Sequence, residues 1–339
     1  MVQARILFTR PTGSVVEIFC LEPLSPTSVH ALAFEVTGNC EWECFVGNNK
    51  RFKEDLELHF DYQGEKAMLK AEKMGNHSEN SFRIQFSWQP QHLTFAEVLE
   101  QVGKIPLPPY IKRDTTSSDV ERYQTVFAKE KGSVAAPTAG LHFTENIIKQ
   151  IKEQNIPIEY ITLHVGAGTF KPVSSDKIGE HNMHCEQLFF SKKSIIHFLE
   201  EQNKRTIAVG TTTARSLESL YWIGVKLFHK EENPLHLSQW EIYDRLSDKN
   251  LTVEQSLQSI LDFMQRNQSE QLHASTSLMI TPHYQPKMAK GIITNFHQPK
   301  STLLLLISAF VGKSWKDIYD YALSHDFRFL SYGDACLFL

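Results

Sequence analysis

The run Ile105-Pro106-Leu107-Pro108-Pro109-Tyr110 restricts this chain more than any other stretch, because it cannot be helical. Each proline fixes its own φ, lacks an N–H and biases the residue before it towards extended backbone. The hydrophobic pattern changes across the run. We therefore read it as the boundary between a module over about residues 1–100 and a domain over residues 101–339.

From about residue 4 to residue 95 the pattern is that of short strands and tight turns. Ile6-Leu7-Phe8 and Val15 to Leu21 flank Pro11-Thr12-Gly13, and Leu56 to Phe60 alternates before Gln63-Gly64. Met68 to Ala71 and Phe82 to Phe86 are separated by the polar cluster Asn76 to Asn80. A helical period is absent, so a small antiparallel β-barrel is expected. Beyond the prolines, helix and strand signals alternate. Thr144 caps a helix carrying Ile147, Ile148 and Ile151, and Ile156 to Val165 reads as a strand. Ser191 opens a helix with Ile195, Ile196 and Leu199; Thr206 to Val209 reads as a buried strand; Thr252 and Gln255 form a capping box before Leu257, Ile260, Leu261 and Met264. Such alternation predicts an α/β domain with a mixed, largely parallel sheet.

Composition narrows the class further. With 339 residues, of which 41% are hydrophobic and 22% charged, the chain can build one large core or two ordinary ones. Its longest apolar stretch, Leu303 to Ile307 continuing through Ala309, Phe310 and Val311, falls far short of the ~20 residues of a membrane span. Met1 to Arg5 lack the pattern of a secretory signal, so a cytoplasmic location is expected. Five scattered cysteines fit reduced thiols, and Cys40 and Cys44 have no second pair at finger spacing. A net charge of −4 argues against generalised nucleic-acid binding and leaves room for a local basic patch.

Chemistry concentrates in a few polar segments. Gly132 to Thr144 is a run of small residues ending at a helix start, where His142 lies; it suits close approach to a polar ligand, or simply a tight connection. The strand containing His164 runs into Gly166-Ala167-Gly168-Thr169, a glycine loop at a carboxyl end, where ligands sit in open α/β sheets. His181-Asn182-Met183-His184-Cys185-Glu186 packs imidazoles, a thiol and a carboxylate together, matching no standard zinc spacing but suiting proton transfer, or a polar loop that caps backbone groups. Gly210-Thr211-Thr212-Thr213-Ala214-Arg215 joins strand to helix with groups fit to hold a carboxylate or phosphate, or to cap the helix. Thr294-Asn295-Phe296-His297-Gln298-Pro299-Lys300-Ser301-Thr302 concentrates polar groups in a turn between apolar flanks, and Ser331-Tyr332-Gly333-Asp334 precedes the last strand.

These segments, in this order, resemble the queuosine ribosyltransferase-isomerase family: Ala135 to Thr144, Thr162 to Phe170, His181 to Glu186, Val209 to Thr212, Thr294 to Leu303 and Ser331 to Ala335. The likeness also takes in Pro106 to Arg113 and Arg122 to Ala128, and it covers about residue 104 to the end, with a looser match before. The resemblance implies transfer and isomerisation of the ribosyl part of S-adenosylmethionine onto 7-aminomethyl-7-deazaguanine at the tRNA wobble position. Epoxyqueuosine forms, and adenine and methionine leave. S-adenosylmethionine is then a co-substrate, no other cofactor or metal is implied, and a monomer is expected. On this likeness His184 and Glu186, with His181 or His297, supply acid and base, while Thr211, Thr212, Thr213 and Arg215 hold the methionine end or a tRNA phosphate. His142, His164, Thr169, Asn295, Lys300, Ser301 and Asp334 complete the expected substrate site. Lys104, Lys112, Arg113 and Arg122 are the best basic candidates for tRNA, although Asp114, Asp119 and Glu121 are interleaved as on a solvated face.

Members of that family usually begin upstream of the point matching Val2 to Arg5, which makes Met1 a misplaced start, a truncation or a shortened homologue; we favour the first. The family's usual Pro-Gly-Tyr turn is replaced by Pro282-His283-Tyr284, and Gln298 stands for a usual leucine. The rival readings are a non-catalytic RNA-binding or regulatory relative, and an S-adenosylmethionine-dependent enzyme acting on another nucleobase.

Overall fold

The computed structural model describes residues 3–78, 81–105, 111, 116, 119, 122–128, 136–164, 178–181, 183, 185–299 and 301–339. The chain forms two compact units, one holding the described residues up to Ala136 together with His164, the other holding the rest. Residues 106–110 of the proline run lie outside the described residues.

The first unit is one antiparallel sheet of β1 (Arg5–Thr9), β2 (Val15–Ser25), β3 (Asn39–Gly47), β4 (Leu56–Tyr62), β5 (Glu65–Asn76), β6 (Phe82–Gln89) and β7 (Gly103–Lys104). Their order is β4-β5-β6-β3-β2-β1-β7. Alternation drives it: Ile6 and Phe8, Val16 and Ile18, Cys40 and Trp42, Leu69 and Ala71, Ile84 and Phe86 all point to one buried face. The tight turn Gln63-Gly64 has positive φ at both residues, which matches the right-handed twist of the β4–β5 hairpin. Two helices that the strand pattern concealed plug the curl: α1 (His30–Phe34) and α2 (Phe95–Val102). The second starts with a capping box between Thr94 and Glu97, and Phe95 seats its ring 5.6 Å from Trp42, 5.3 Å from Phe86 and 5.4 Å from Trp88. Because β4 and the two-residue β7 stand at opposite ends of the strand order, the expected closed barrel is instead a curled half-barrel.

The second unit, in which β8 lies up to Leu163, contains α3 (Glu145–Glu153), β8 (Thr162–His164), β9 (Glu186–Ser191), α4 (Lys192–Glu200), β10 (Ile207–Val209), α5 (Thr211–Phe228), β11 (His236–Leu237), α6 (Glu241–Asp244), α7 (Val253–Arg266), β12 (Gln271–Thr276), β13 (Gly291–Asn295), α8 (Thr302–Val311), α9 (Trp315–Ser324) and β14 (Ala335–Phe338). The predicted caps form: the side chains of Thr144, Ser191 and Thr252 each accept an N–H at the head of their helix. The largely parallel sheet does not. The described residues form two small sheets, β10-β13-β14 and β11-β12-β9-β8, in which β10 with β13 and β11 with β12 are parallel but β13 with β14 and β9 with β12 are antiparallel. Helix–strand alternation implies parallel pairing only when the chain returns to the same sheet after each helix. Here β9 and β10 flank α4 yet belong to different sheets. Among the described residues, the strand expected from Ile156 to Val165 begins only at Thr162, since Pro157 offers no N–H to a ladder and Ile156 is exposed. Ile207 in the expected buried strand is likewise exposed, although its neighbour Ala208 is buried.

Helix α5 runs through the core of this unit, buried continuously from Ala214 to Lys226. It crosses α7 at Gly224, where an added Cβ would stand 2.1 Å from Ser256 Oγ and 2.3 Å from its carbonyl oxygen. No helix among the described residues is long and apolar enough to cross a membrane.

Candidate active site at the strand ends

Parallel pairing of Ile207 with Gly291 and of Val209 with Ile293 makes β10 and β13 end on the same side. Beyond β10, Gly210 adopts φ 96°, a conformation that glycine tolerates at no steric cost, and donates its N–H to Ile293 O at 2.8 Å. Helix α5 starts immediately after it, so the N–H groups of Thr211, Thr212 and Thr213, which no helical carbonyl precedes, open at these strand ends. The antiparallel register sets Ala335 opposite Asn295 and brings Asp334 to the same edge. A short 3-10 turn at Thr138–His142 completes the corner, with Ala139 Cβ 3.6 Å from the position a Cβ on Gly210 would take.

Side chains then close a polar cluster. Asn295 donates from Nδ2 to Thr138 Oγ1 at 2.8 Å and accepts on Oδ1 from His142 Nε2 at 2.5 Å. Asp334 accepts the Arg328 N–H at 2.7 Å and its guanidinium at 3.2 Å. Those hydrogen bonds, with a smaller contribution from the His142 ring, hold its carboxyl below the usual range. His142, Asn295, Asp334 and the head of α5 thus lie at one corner.

One turn into α5, Arg215 is buried and forks onto Glu186 at the start of β9, its Nε 3.1 Å from Oε2 and its Nη2 on Oε1. The bidentate pair ties the start of β9 to α5. The segment before Glu186 is gripped from its other end by Gln239, which donates to His181 O at 2.6 Å and accepts from the Met183 N–H at 2.9 Å. His297 lies on the other face of β13. Its Nε2 is 2.9 Å from Thr294 Oγ1, its N–H donates to the Tyr319 hydroxyl at 3.0 Å, and burial pushes the imidazole down to about 4. It is neutral at pH 7. Ser301 caps α8 by accepting the Leu303 N–H at 3.2 Å. Lys104 and Arg122 are exposed in the first unit. His184, Thr169, Lys300, Lys112, Arg113 and the His164 side chain lie outside the described residues and side chains.

Three residues escaped sequence reasoning. Thr138 sits in a small-residue run, where nothing marks its hydroxyl as special. Gln239 gives no periodic or motif signal. Glu218, fully buried on α5, accepts from Tyr284 Oη at 2.5 Å and from the N–H groups of Lys287, Met288 and Ala289 at 2.7, 3.0 and 2.8 Å. A glutamate inside an apolar helix face was its only signal. Through it α5 fixes the loop that feeds β13.

The arrangement defines a class: an α/β domain presenting a polar corner at the carboxyl ends of two parallel strands, in a chain that also carries an antiparallel β unit. The model of the family described as "Queuosine biosynthesis protein" matches residues 1–338. The chain is 37% identical over 329 residues to the S-adenosylmethionine:tRNA ribosyltransferase-isomerase of Natranaerobius thermophilus, covering 96% of this chain and 78% of that one. It belongs to the queuosine biosynthesis protein family. A crystal structure of the S-adenosylmethionine tRNA ribosyltransferase of Thermotoga maritima aligns at 24% identity, covering 100% of this chain and 79% of that one, with a TM-score of 0.38.

Proposed function

We propose that this chain is an S-adenosylmethionine:tRNA ribosyltransferase-isomerase. It moves the ribosyl part of S-adenosylmethionine onto 7-aminomethyl-7-deazaguanine in the wobble position of tRNA, forms epoxyqueuosine, and releases adenine and methionine. The observation that carries this reading is the corner itself: Thr138, His142, Asn295 and Asp334 meet the open head of α5, in a chain of this family.

In this reading the head of α5 and the Thr211 to Thr213 hydroxyls receive the methionine carboxylate, because an anion is stabilised where N–H groups lack carbonyl partners. Arg215 acts first as a positioning residue: through Nε and Nη2 it grips Glu186 and so fixes the segment carrying His181 to α5. Lys104 and Arg122, with Lys112 and Arg113, contact tRNA phosphates, the β-rich part serving tRNA and the remainder catalysis. The enzyme works as a cytoplasmic monomer, with S-adenosylmethionine as its co-substrate.

Incubation with S-adenosylmethionine and tRNA carrying the aminomethyl deazaguanine tests the reading by the adenine released. Release that requires this tRNA is the expected result. Release with another acceptor assigns the chain to a different nucleobase, and binding without release leaves it a non-catalytic relative.

A further inference from the structure

Sequence reasoning named His181, His184, Glu186 and His297 for proton transfer and His142 for substrate binding; His184 lies outside the described residues, and the His181 carbonyl is held by Gln239. Glu186 is locked in a bidentate pair with Arg215, and His297 is buried, neutral and bonded to Thr294 on the face of β13 away from the corner. His142 is different. It is only partly buried, it stands at the corner, and its Nε2 is fully engaged by an oxygen that can only accept. Since Asn295 turns its amide nitrogen to Thr138, Oδ1 is the atom facing His142, and the proton on Nε2 is fixed there. The remaining nitrogen, Nδ1, is the ring's working position. The Asp334 carboxylate, itself held by Arg328, interacts electrostatically with the ring. With Nε2 held by an acceptor oxygen, Nδ1 is the nitrogen through which the ring can pass a proton to a ligand at the corner.

We propose that His142 is the general acid that protonates the departing adenine, with Asn295 and Thr138 as positioning residues that aim its Nδ1. The assignment rests on the ribosyl-transfer reading above. As the C1′–N9 bond breaks, its electron pair goes to the adenine ring and the ribose ring oxygen shares the deficiency at C1′. The Nδ1 proton passes to an adenine ring nitrogen, adenine leaves neutral, and the now neutral imidazole regains a proton from water. A positioned acid of this kind contributes on the order of 10²- to 10⁴-fold.

The test is single-turnover adenine release at saturating S-adenosylmethionine and acceptor tRNA, with S-adenosylmethionine binding measured separately by calorimetry. His142→Ala is expected to slow release roughly 100-fold or more with binding little changed, and added imidazole to restore part of the rate. His142→Gln, whose amide keeps a donor for Asn295 Oδ1, carries the same comparison should the alanine variant not fold. An S-adenosylmethionine analogue whose base leaves without protonation separates acid from structural roles: the defect of either variant should shrink markedly with it. Asn295→Ala should shift or flatten the alkaline limb of the wild-type pH profile, where an essential acid loses its proton. Equal defects with both leaving bases, or a rate within about threefold of wild type, would overturn the assignment. An inactive wild-type enzyme would instead sink the ribosyl-transfer reading, which keeps the two failures apart.

Discussion

Protonating His297 should destabilise the fold, and the size of the effect follows from its surroundings. The ring is buried with one polar partner, Thr294 Oγ1, so a charge there would lose its hydration for a single hydroxyl. Burial lowers its pKa from 6.5 to about 4, which at 1.36 kcal/mol per unit corresponds to about 3 kcal/mol. The sign is that of a depressed folded-state value. Above pH 6.5 both folded and unfolded histidine are neutral and the stability is fully present; from there down to about pH 4 the unfolded chain takes up a proton that the folded one refuses, and stability is lost. Urea unfolding of wild type and His297→Gln across this range isolates the effect, because glutamine does not titrate and can still reach Thr294. The stability advantage of wild type over the variant should shrink by about 3 kcal/mol between pH 7 and pH 4. Parallel curves for the two proteins would refute the reasoning.

The other perturbations act on packing and on the segment before β9. Arg215→Ala strands a buried carboxylate and should cost about 3–5 kcal/mol in chemical unfolding, much of which the double replacement Arg215→Met with Glu186→Leu should restore. Gly224→Ala should destabilise by about 1–3 kcal/mol, and Ser256→Ala should not rescue it, since the Ser256 carbonyl at 2.3 Å remains in the way. Gln239→Ala frees the backbone of His181 and Met183 and should lower kcat for adenine release with S-adenosylmethionine binding unchanged; an effect on binding alone would contradict the positioning role.

What the sequence disclosed was mostly local. The caps at Thr144, Ser191 and Thr252 depend on a hydroxyl and on the residues within one turn of it, so they could be read directly. The alternation of β1 to β6 was legible for the same reason, since burial of one sheet face is written every second residue. Pairing partners were not. Nothing near β9 or β10 says that they enter different sheets, and the antiparallel β14 is joined to β13 only after two helices. The site divides along the same line. His142 and Asn295 could each be picked out as polar residues in turns, yet they are 153 positions apart and only the fold reveals that they share a hydrogen bond. Glu186 and Arg215 were assigned separate chemical tasks, because the ion pair that joins them crosses 29 residues with no periodic signal. Gln239 works through its side-chain amide on another segment's backbone, which leaves no pattern in sequence at all.

The central claim is that the ribosyl group, and not the methyl group, of S-adenosylmethionine reaches the tRNA. S-adenosylmethionine carrying distinguishable labels in its ribose and in its methyl group decides this directly when incubated with the protein and aminomethyl-deazaguanine tRNA. The account predicts ribose label in the tRNA in step with free adenine, and methyl label in free methionine. Methyl label in the tRNA, or ribose label remaining with adenine, would contradict it.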